Sequence, residues 1–145
     1  MKRLLALMGL VALTLNAQTR DAKMEEANKK VVLAFMQEFF GDHDIAAAEK
    51  YLAPEYIQHN PGVADGRAAI MAAAKGFFGS APKSKTDVRH VAADGDLVWL
   101  HHRAQMGPGA SAVVDIFRVK NGKIVEHWDV IQSVPDKAAN PHPMF

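Results

Sequence analysis

The side chains that could do chemistry in this sequence are carboxylates and imidazoles, because its 145 residues include 16 Asp and Glu, seven His and no Cys. Without thiols the chain can form no disulfide, thiolate zinc site, iron–sulfur cluster or cysteine nucleophile. Asp115 stands out because it interrupts the apolar run from Ala112 to Phe117. Apolar surroundings disfavour a charged carboxylate, so we predict that the pKa of Asp115 is raised toward values useful in proton transfer. The alternative is a structural role, in which Asp115 bonds a loop or pairs with an arginine such as Arg103.

The turn at Asn121-Gly122 predicts which side chains accompany Asp115. Asn-Gly favours a two-residue hairpin loop, because both residues tolerate positive φ. Such a loop sets Asp115 opposite Trp128. Opposed side chains share one face of a sheet, so the spacing predicts a largely apolar face that carries Asp115, Phe117 and Trp128.

The same register places His127 and Asp129 on the opposite face, where we expect a solvated or interface pair rather than catalytic groups. A slip of one residue would exchange the two faces.

On the preceding strand His101 alternates with Trp99 and Arg103. We predict that His101 belongs to the site, the alternative being an imidazole that is hydrogen-bonded across strands.

Two further polar residues, His59 and Asn60, precede a Pro61-Gly62 turn. We expect both side chains near the mouth of a cavity, where they could donate hydrogen bonds to a substrate oxygen. Asn60 could instead only initiate the turn.

Metal binding is not predicted, although four histidines could suggest it: His59, His90, His101 and His102. Their spacing matches no compact ligand motif, and no carboxylate is tied to them in the sequence. The sequence therefore predicts neither a metal site nor a cofactor.

The elements that must position these groups are helices followed by strands. Apolar residues recur at helical spacing over residues 21–40, 45–52 and 67–78, with a brief extended piece at 56–59. Alternation with a period of two follows over residues 86–92, 97–106, 112–119 and 124–132. This order predicts an α+β domain with helices on one face of a bent sheet, which leaves a concave cavity. The other face of the sheet is a natural surface for a homodimer.

The first 17 residues differ from the rest of the chain. Lys2 and Arg3 precede an apolar stretch, residues 4–15, and a small residue at Ala17. This pattern is typical of a secretory signal peptide, and the stretch is shorter than the roughly 20 residues of a membrane span. We therefore expect export, to the periplasm, of a single domain formed by residues 18–145. The alternative is a buried N-terminal helix.

The charge pattern argues against two classes of partner. The formal net charge is only +1, which gives no electrostatic reason to expect nucleic acid or an anionic membrane surface. Once a signal peptide is removed, no membrane contact is predicted either.

Three segments together resemble the SnoaL-like proteins, the branch of the nuclear-transport-factor-2-like superfamily that includes polyketide cyclases. These are residues 56–61 (Tyr-Ile-Gln-His-Asn-Pro), 114–118 (Val-Asp-Ile-Phe-Arg) and 122–129 (Gly-Lys-Ile-Val-Glu-His-Trp-Asp). The resemblance implies a cone-shaped α+β fold. Three N-terminal helices would pack in a strongly bent antiparallel sheet around a deep pocket, commonly as a dimer without a cofactor.

The resemblance also implies a site. In the characterised cyclases an aspartate is the acid/base of an intramolecular aldol condensation, and a histidine fourteen residues earlier lines the same pocket. These positions correspond to Asp115 and His101 here. The cyclases have a glutamine two residues before that histidine, whereas this chain has Trp99, which predicts a pocket of different shape.

These residues permit enolate chemistry on a small hydrophobic ligand that contains a carbonyl group. Asp115 would remove the proton, and His101 with His59 or Asn60 would hold the enolate oxygen. The remaining predicted substrate-binding residues are Trp99, Phe117, Trp128 and Gln132. An aldol condensation, an isomerisation and a dehydration all stay open.

Two alternatives accompany this hypothesis. One is a non-catalytic domain of the same fold that binds a small molecule or a partner. The other is a proton shuttle of the steroid-isomerase type, which would require a tyrosine donor, and Tyr51 and Tyr56 are the only tyrosines in the chain.

Overall fold

The structure is a computed structural model that describes residues 20–79, 82–106 and 108–145. Helix α1, Ala22–Phe35, begins where the carboxylate of Asp21 accepts hydrogen bonds from the first backbone N–H groups. The helix continues as a π-helical turn, Met36–Gly41. Helices α2, Ala47–Tyr51, and α3, Arg67–Phe78, follow, so all three predicted helical segments are confirmed.

The five strands form one curved sheet in the order β1-β5-β4-β3-β2. In chain order, from β1 to β5, the strands are Leu52–Gln58, Asp87–Asp94, Leu97–Met106, Gly109–Lys120 and Lys123–Ser133. The last four strands are an antiparallel meander, whereas β1 runs parallel to β5. The predicted α+β class is confirmed, and the brief extended piece of the sequence is a full edge strand.

The core lies between α1 and the concave face of the sheet. Phe35 of α1 is 1% exposed, and its ring lies 6.1 Å from that of Phe117 on β4. Val98 and Leu100 of β3 are fully buried. Full burial of one such apolar side chain stabilises a fold by about 1.5–3 kcal/mol, so this contact fixes which face of the sheet points inward.

A bulge next to the β4–β5 turn changes the predicted register. The turn itself forms as expected, with φ of 52° at Asn121 and 73° at Gly122, and Val119 pairs with Ile124. The next pair is Arg118 with Glu126, so Val125 is an extra residue. One extra residue transfers every later side chain to the other face.

The predicted pairing of Asp115 with Trp128 is therefore wrong. Asp115 lies opposite Asp129, and Trp128 lies opposite Ile116 on the convex face. On β3, Leu100 lies opposite Asp115, so strand alternation puts His102 on the concave face. The prediction that His101 shares a face with Asp115 is also wrong, because successive side chains of β3 point to opposite faces and His101 lies opposite Val114.

The predicted signal peptide, residues 1–17, lies outside the described residues. Within the described part of the chain, no helix has the length and apolar character needed to cross a membrane.

Candidate functional site

A buried carboxylate lies between two imidazoles on the concave face. Asp115 of β4 is 6% exposed. Its Oδ2 lies 2.6 Å from Nε2 of His102 on β3, and its Oδ1 lies 3.0 Å from Nε2 of His127 on β5. His102 and His127 are also buried. Three adjacent strands thus hold three titratable groups in contact.

The electrostatics of Asp115 differ from the sequence prediction. Burial raises the pKa of the Asp115 carboxyl, but hydrogen bonds from His102 and His127 and their charges outweigh it, so the pKa lies below its ordinary value. The predicted rise is wrong because the predicted register gave Asp115 no polar partner. With both oxygens hydrogen-bonded and a lowered pKa, Asp115 is a weak proton acceptor.

Gln58 fixes the orientation of His127. The Oε1 atom of Gln58 accepts the backbone N–H of Asn60 at 2.9 Å and lies 2.9 Å from Nδ1 of His127. An oxygen has no proton to offer, so Nδ1 of His127 must carry one. Nε2 of His127 can therefore donate to Asp115 only when the ring is doubly protonated.

Tyr56 supplies a neutral hydroxyl behind His127. It is 1% exposed, and its Oη accepts from Nε2 of Gln58 at 3.1 Å. Burial raises the pKa of Tyr56, and the nearby charges of Asp115 and Asp129 raise it further. The phenol therefore keeps its proton and remains a hydrogen-bond donor.

A second carboxylate completes the cluster. Asp129 lies directly opposite Asp115, and its Oδ2 accepts from Nδ2 of Asn60 at 2.6 Å. One ligand atom from each of Asp115, His127 and Asp129 can be chosen so that all three lie within 4.8 Å of one another. Oxygen and imidazole nitrogen are donors that divalent transition metals accept.

Only part of the predicted set lies in this cluster. Phe117 is on the concave face, with its ring 4.6 Å from that of His127, and Asn60 reaches the cluster through Asp129. His59 lies elsewhere, because its ring stacks on Trp128 at 4.5 Å.

The other predicted residues also lie on the convex face. Trp99 is opposite Ile116, and His101 stacks on His90 with ring centroids 5.5 Å apart. Gln132 is exposed and opposite Ala112. Predictions that placed Trp99, His101 and Gln132 beside Asp115 are wrong, since strand alternation directs all three side chains outward.

Sequence reasoning missed five residues of the cluster: Tyr56, Gln58, His102, His127 and Asp129. The expectation that His127 and Asp129 lie on the face opposite to Asp115 is wrong because of the bulge at Val125. One usable signal existed for His102. It continues the alternation of Val98 and Leu100, the two most apolar inward positions of β3. Tyr56 and Gln58 give no such signal, because their role depends on the parallel pairing of β1 with β5.

A cavity of about 410 Å³ opens at another place, against α2, the start of β1 and α3. Its lining residues are Glu49, Pro54, Arg67, Ala68 and Met71. The three groups His102, Asp115 and His127 do not line it.

Solved structures with this fold come from several bacteria. A candidate SnoaL-like polyketide cyclase from Jannaschia sp. CCS1 superposes with a TM-score of 0.63 at 22% identity, over 74% of this chain and 87% of that one. A candidate polyketide cyclase from Acidithiobacillus ferrooxidans superposes with a TM-score of 0.62 at 20% identity, over 72% of this chain and 87% of that one. A nuclear-transport-factor-2-like protein of unknown function from Mesorhizobium loti superposes with a TM-score of 0.61 at 24% identity, over 74% of this chain and 93% of that one. At these identities the likeness establishes the fold.

Sequence comparison assigns the chain to a family, which is narrower than the fold. No protein with a curated description matches the chain significantly. The sequence profile of the SnoaL-like domain matches residues 32–127, which run from the last turn of α1 to His127 and include Gln58, His102 and Asp115. The fold and this match agree, and the chain belongs to the family of SnoaL-like domains.

Proposed function

We propose that this protein is an enzyme that moves a proton on a small hydrophobic ligand containing a carbonyl group. The observation that carries the proposal is the buried Asp115 carboxylate between two imidazoles. A buried carboxylate in hydrogen-bond contact with imidazoles is typical of acid/base sites. The reaction class is enolate chemistry, which includes aldol condensation, isomerisation and dehydration.

His102 is the proposed proton acceptor in place of Asp115. Among the described residues, hydrogen bonds engage only Nε2 of His102, which donates to Asp115. A neutral ring with a proton on Nε2 has a lone pair on Nδ1, and that atom can accept a proton from a ligand. Asp115 then acts as the positioning residue, because it fixes the tautomer and stabilises the imidazolium that forms.

The developing negative charge on the ligand oxygen needs a donor that is neutral or positive. Tyr56 keeps its proton because burial and the two neighbouring carboxylates raise its pKa. The hydroxyl is held by Gln58, which also holds His127. Tyr56 is therefore the proposed donor to the enolate oxygen.

Proton exchange tests this function without knowledge of the natural substrate. The protein is incubated in D₂O with small cyclic ketones, enones and 1,3-diketones, and deuterium uptake beside the carbonyl is followed by NMR. We expect His102→Gln to lower the exchange rate by about 10²–10⁴-fold, the usual contribution of a general base. His101→Gln is the matched control, since the adjacent ring lies on the convex face, and its rate should stay within twofold of wild type.

A different result would favour the non-catalytic alternative. If the wild-type protein binds these compounds and their exchange rate stays at the buffer level, the protein is a binding domain. Equal loss in His102→Gln and His101→Gln would contradict the role of His102.

We also propose that the protein is exported to the periplasm and forms a homodimer. Export is supported by the basic and apolar pattern of residues 1–17. The dimer is supported by the convex face of the sheet, where Val130 is 67% exposed and lies opposite Val114.

A further inference from the structure

We infer that Asp115, His127 and Asp129 form a binding site for one divalent transition-metal ion of the Zn²⁺ type. The three side chains come from the facing parts of β4 and β5, and one ligand atom of each lies within 4.8 Å of the others. A tetrahedral site with metal–ligand distances of about 2.0–2.2 Å requires ligand atoms about 3.3–3.6 Å apart. The pair of Asp115 Oδ1 and His127 Nε2, at 3.0 Å, is already close to that spacing.

Each proposed ligand is oriented by a neighbour that is not itself a ligand. Nδ1 of His127 donates to Gln58, so Nε2 is directed at the site. The Oδ2 atom of Asp129 accepts from Asn60, and within the described residues its Oδ1 has no hydrogen bond and can bind an ion. Metal-ligating histidines and carboxylates in proteins are held by such outer hydrogen bonds.

Asp115 divides its two oxygens between different partners. Oδ2 accepts from Nε2 of His102 at 2.6 Å, and Oδ1 faces Nε2 of His127. The same carboxylate can therefore bind an ion through Oδ1 while it orients His102 through Oδ2. The metal site and the proposed proton acceptor are compatible in one structure.

Hydrogen-bond complementarity favours a cation at this place. Because Nδ1 of His127 gives its proton to Gln58, Nε2 can bond Oδ1 of Asp115 only through a second ring proton or a bound cation. Asp129 adds a second carboxylate on the same face, directly opposite Asp115. Like charges in opposed positions destabilise a sheet. An ion between the three groups satisfies all of these acceptors.

The donor set selects the class of ion. Two carboxylates and one imidazole suit Zn²⁺, Mn²⁺ or Fe²⁺, whereas Mg²⁺ and Ca²⁺ prefer oxygen donors alone. Three protein ligands leave a fourth position for water or a ligand oxygen. At that position the ion would polarise a carbonyl group, so this inference deepens the proposed function, and the site itself does not depend on the reaction.

Calorimetric titration with Zn²⁺ tests the site. The full chain is stripped with a chelator, dialysed and titrated with ZnCl₂ in a buffer that does not bind zinc. We expect one equivalent to bind, and we expect Asp129→Asn and His127→Gln each to weaken binding by at least tenfold. His101→Gln is the matched control, because His101 and His90 form a surface imidazole pair that could bind zinc adventitiously, and its affinity should be unchanged.

Two outcomes would overturn the inference. One is the absence of saturable binding to the stripped protein. The other is binding that His101→Gln abolishes and Asp129→Asn leaves intact. Crystals grown with Zn²⁺ give a readout that does not depend on affinity, since an anomalous peak must lie within bonding distance of all three side chains. Proton exchange by the metal-free protein would leave the proposed function in place even if the metal site were absent.

Discussion

Asp115 and Asp129 face each other across β4 and β5 on the concave side of the sheet, one residue away from the register that the Asn121-Gly122 turn alone predicts. The extra residue that causes this shift is Val125. Because of it, the hairpin brings two carboxylates and His127 together instead of a carboxylate and an indole. The bulge therefore determines the chemistry of the site as well as the geometry of the strands.

Truncation of Asp115 should destabilise the fold. In Asp115→Ala, the buried imidazoles of His102 and His127 lose their common partner, and each unpaired group costs about 1–3 kcal/mol. We expect the free energy of unfolding to fall by about 3–5 kcal/mol in urea titration at pH 7. Asp115→Asn should cost less, because the amide can accept from His102 and donate to Nε2 of a neutral His127.

The comparison of the two variants decides between the interpretations of Asp115. An unpaired, desolvated carboxylate would make both substitutions neutral or stabilising, because each removes a buried charge. That outcome would contradict the hydrogen-bonded cluster and the proposals that depend on it.

The stability of the protein should depend on pH through Glu25. This buried carboxylate of α1 accepts from Arg20 and, at 2.9 Å, from the backbone N–H of Gly95, so it joins α1 to the β2–β3 turn. The hydrogen bond from Arg20 and that from Gly95 lower the pKa of Glu25. A lowered pKa in the folded state stabilises the fold above the pKa of the unfolded chain, roughly 4.3, and this contribution disappears as pH falls.

We expect Glu25→Gln to lower the melting temperature at pH 7 and to have a smaller effect at pH 3. Thermal unfolding across this range measures the difference between the curves. Glu26→Gln is the matched control, because Glu26 is an exposed neighbour whose ion pair is with Lys29. A constant offset between wild type and Glu25→Gln at all pH values would contradict this linkage.

The elements of the fold could be predicted from the sequence because their signals are local. Helical spacing and strand alternation depend on the nearest few residues, and residues 67–78 form α3 as predicted. The parallel pairing of β1 with β5 brings Gln58 beside His127, which is 69 residues away in the chain. No local pattern reports such a pairing.

The sequence predicts less well which side chains point to the concave face of the sheet, for two physical reasons. A turn fixes the register only up to the first bulge, and the bulge at Val125 has no local sequence signal such as glycine. On β3 the predicted alternation is correct, but the sequence analysis places the site on the face of His101 rather than on the apolar face of Leu100. Burial of Leu100 directs that face inward and places His102 in the site.

Export predicts a specific mass for the protein recovered from cells. If residues 1–17 are a signal peptide, the protein in the periplasmic fraction begins near Gln18. Intact-mass spectrometry of this fraction measures the start of the chain to within one residue. Soluble cytosolic protein that retains Met1 would contradict export.

The convex face of the sheet predicts a homodimer that a single charge should disrupt. Val130 is 67% exposed on this face, which also carries Ile116, Trp99 and Trp128. An unpaired charge buried in an interface is strongly unfavourable, so Val130→Glu should shift the molar mass in light scattering from two chains toward one. Phe77→Glu is the matched control, because Phe77 is a 48% exposed apolar side chain on α3. A wild-type monomer, or dissociation by Phe77→Glu and not by Val130→Glu, would show that the convex face is not the dimer interface.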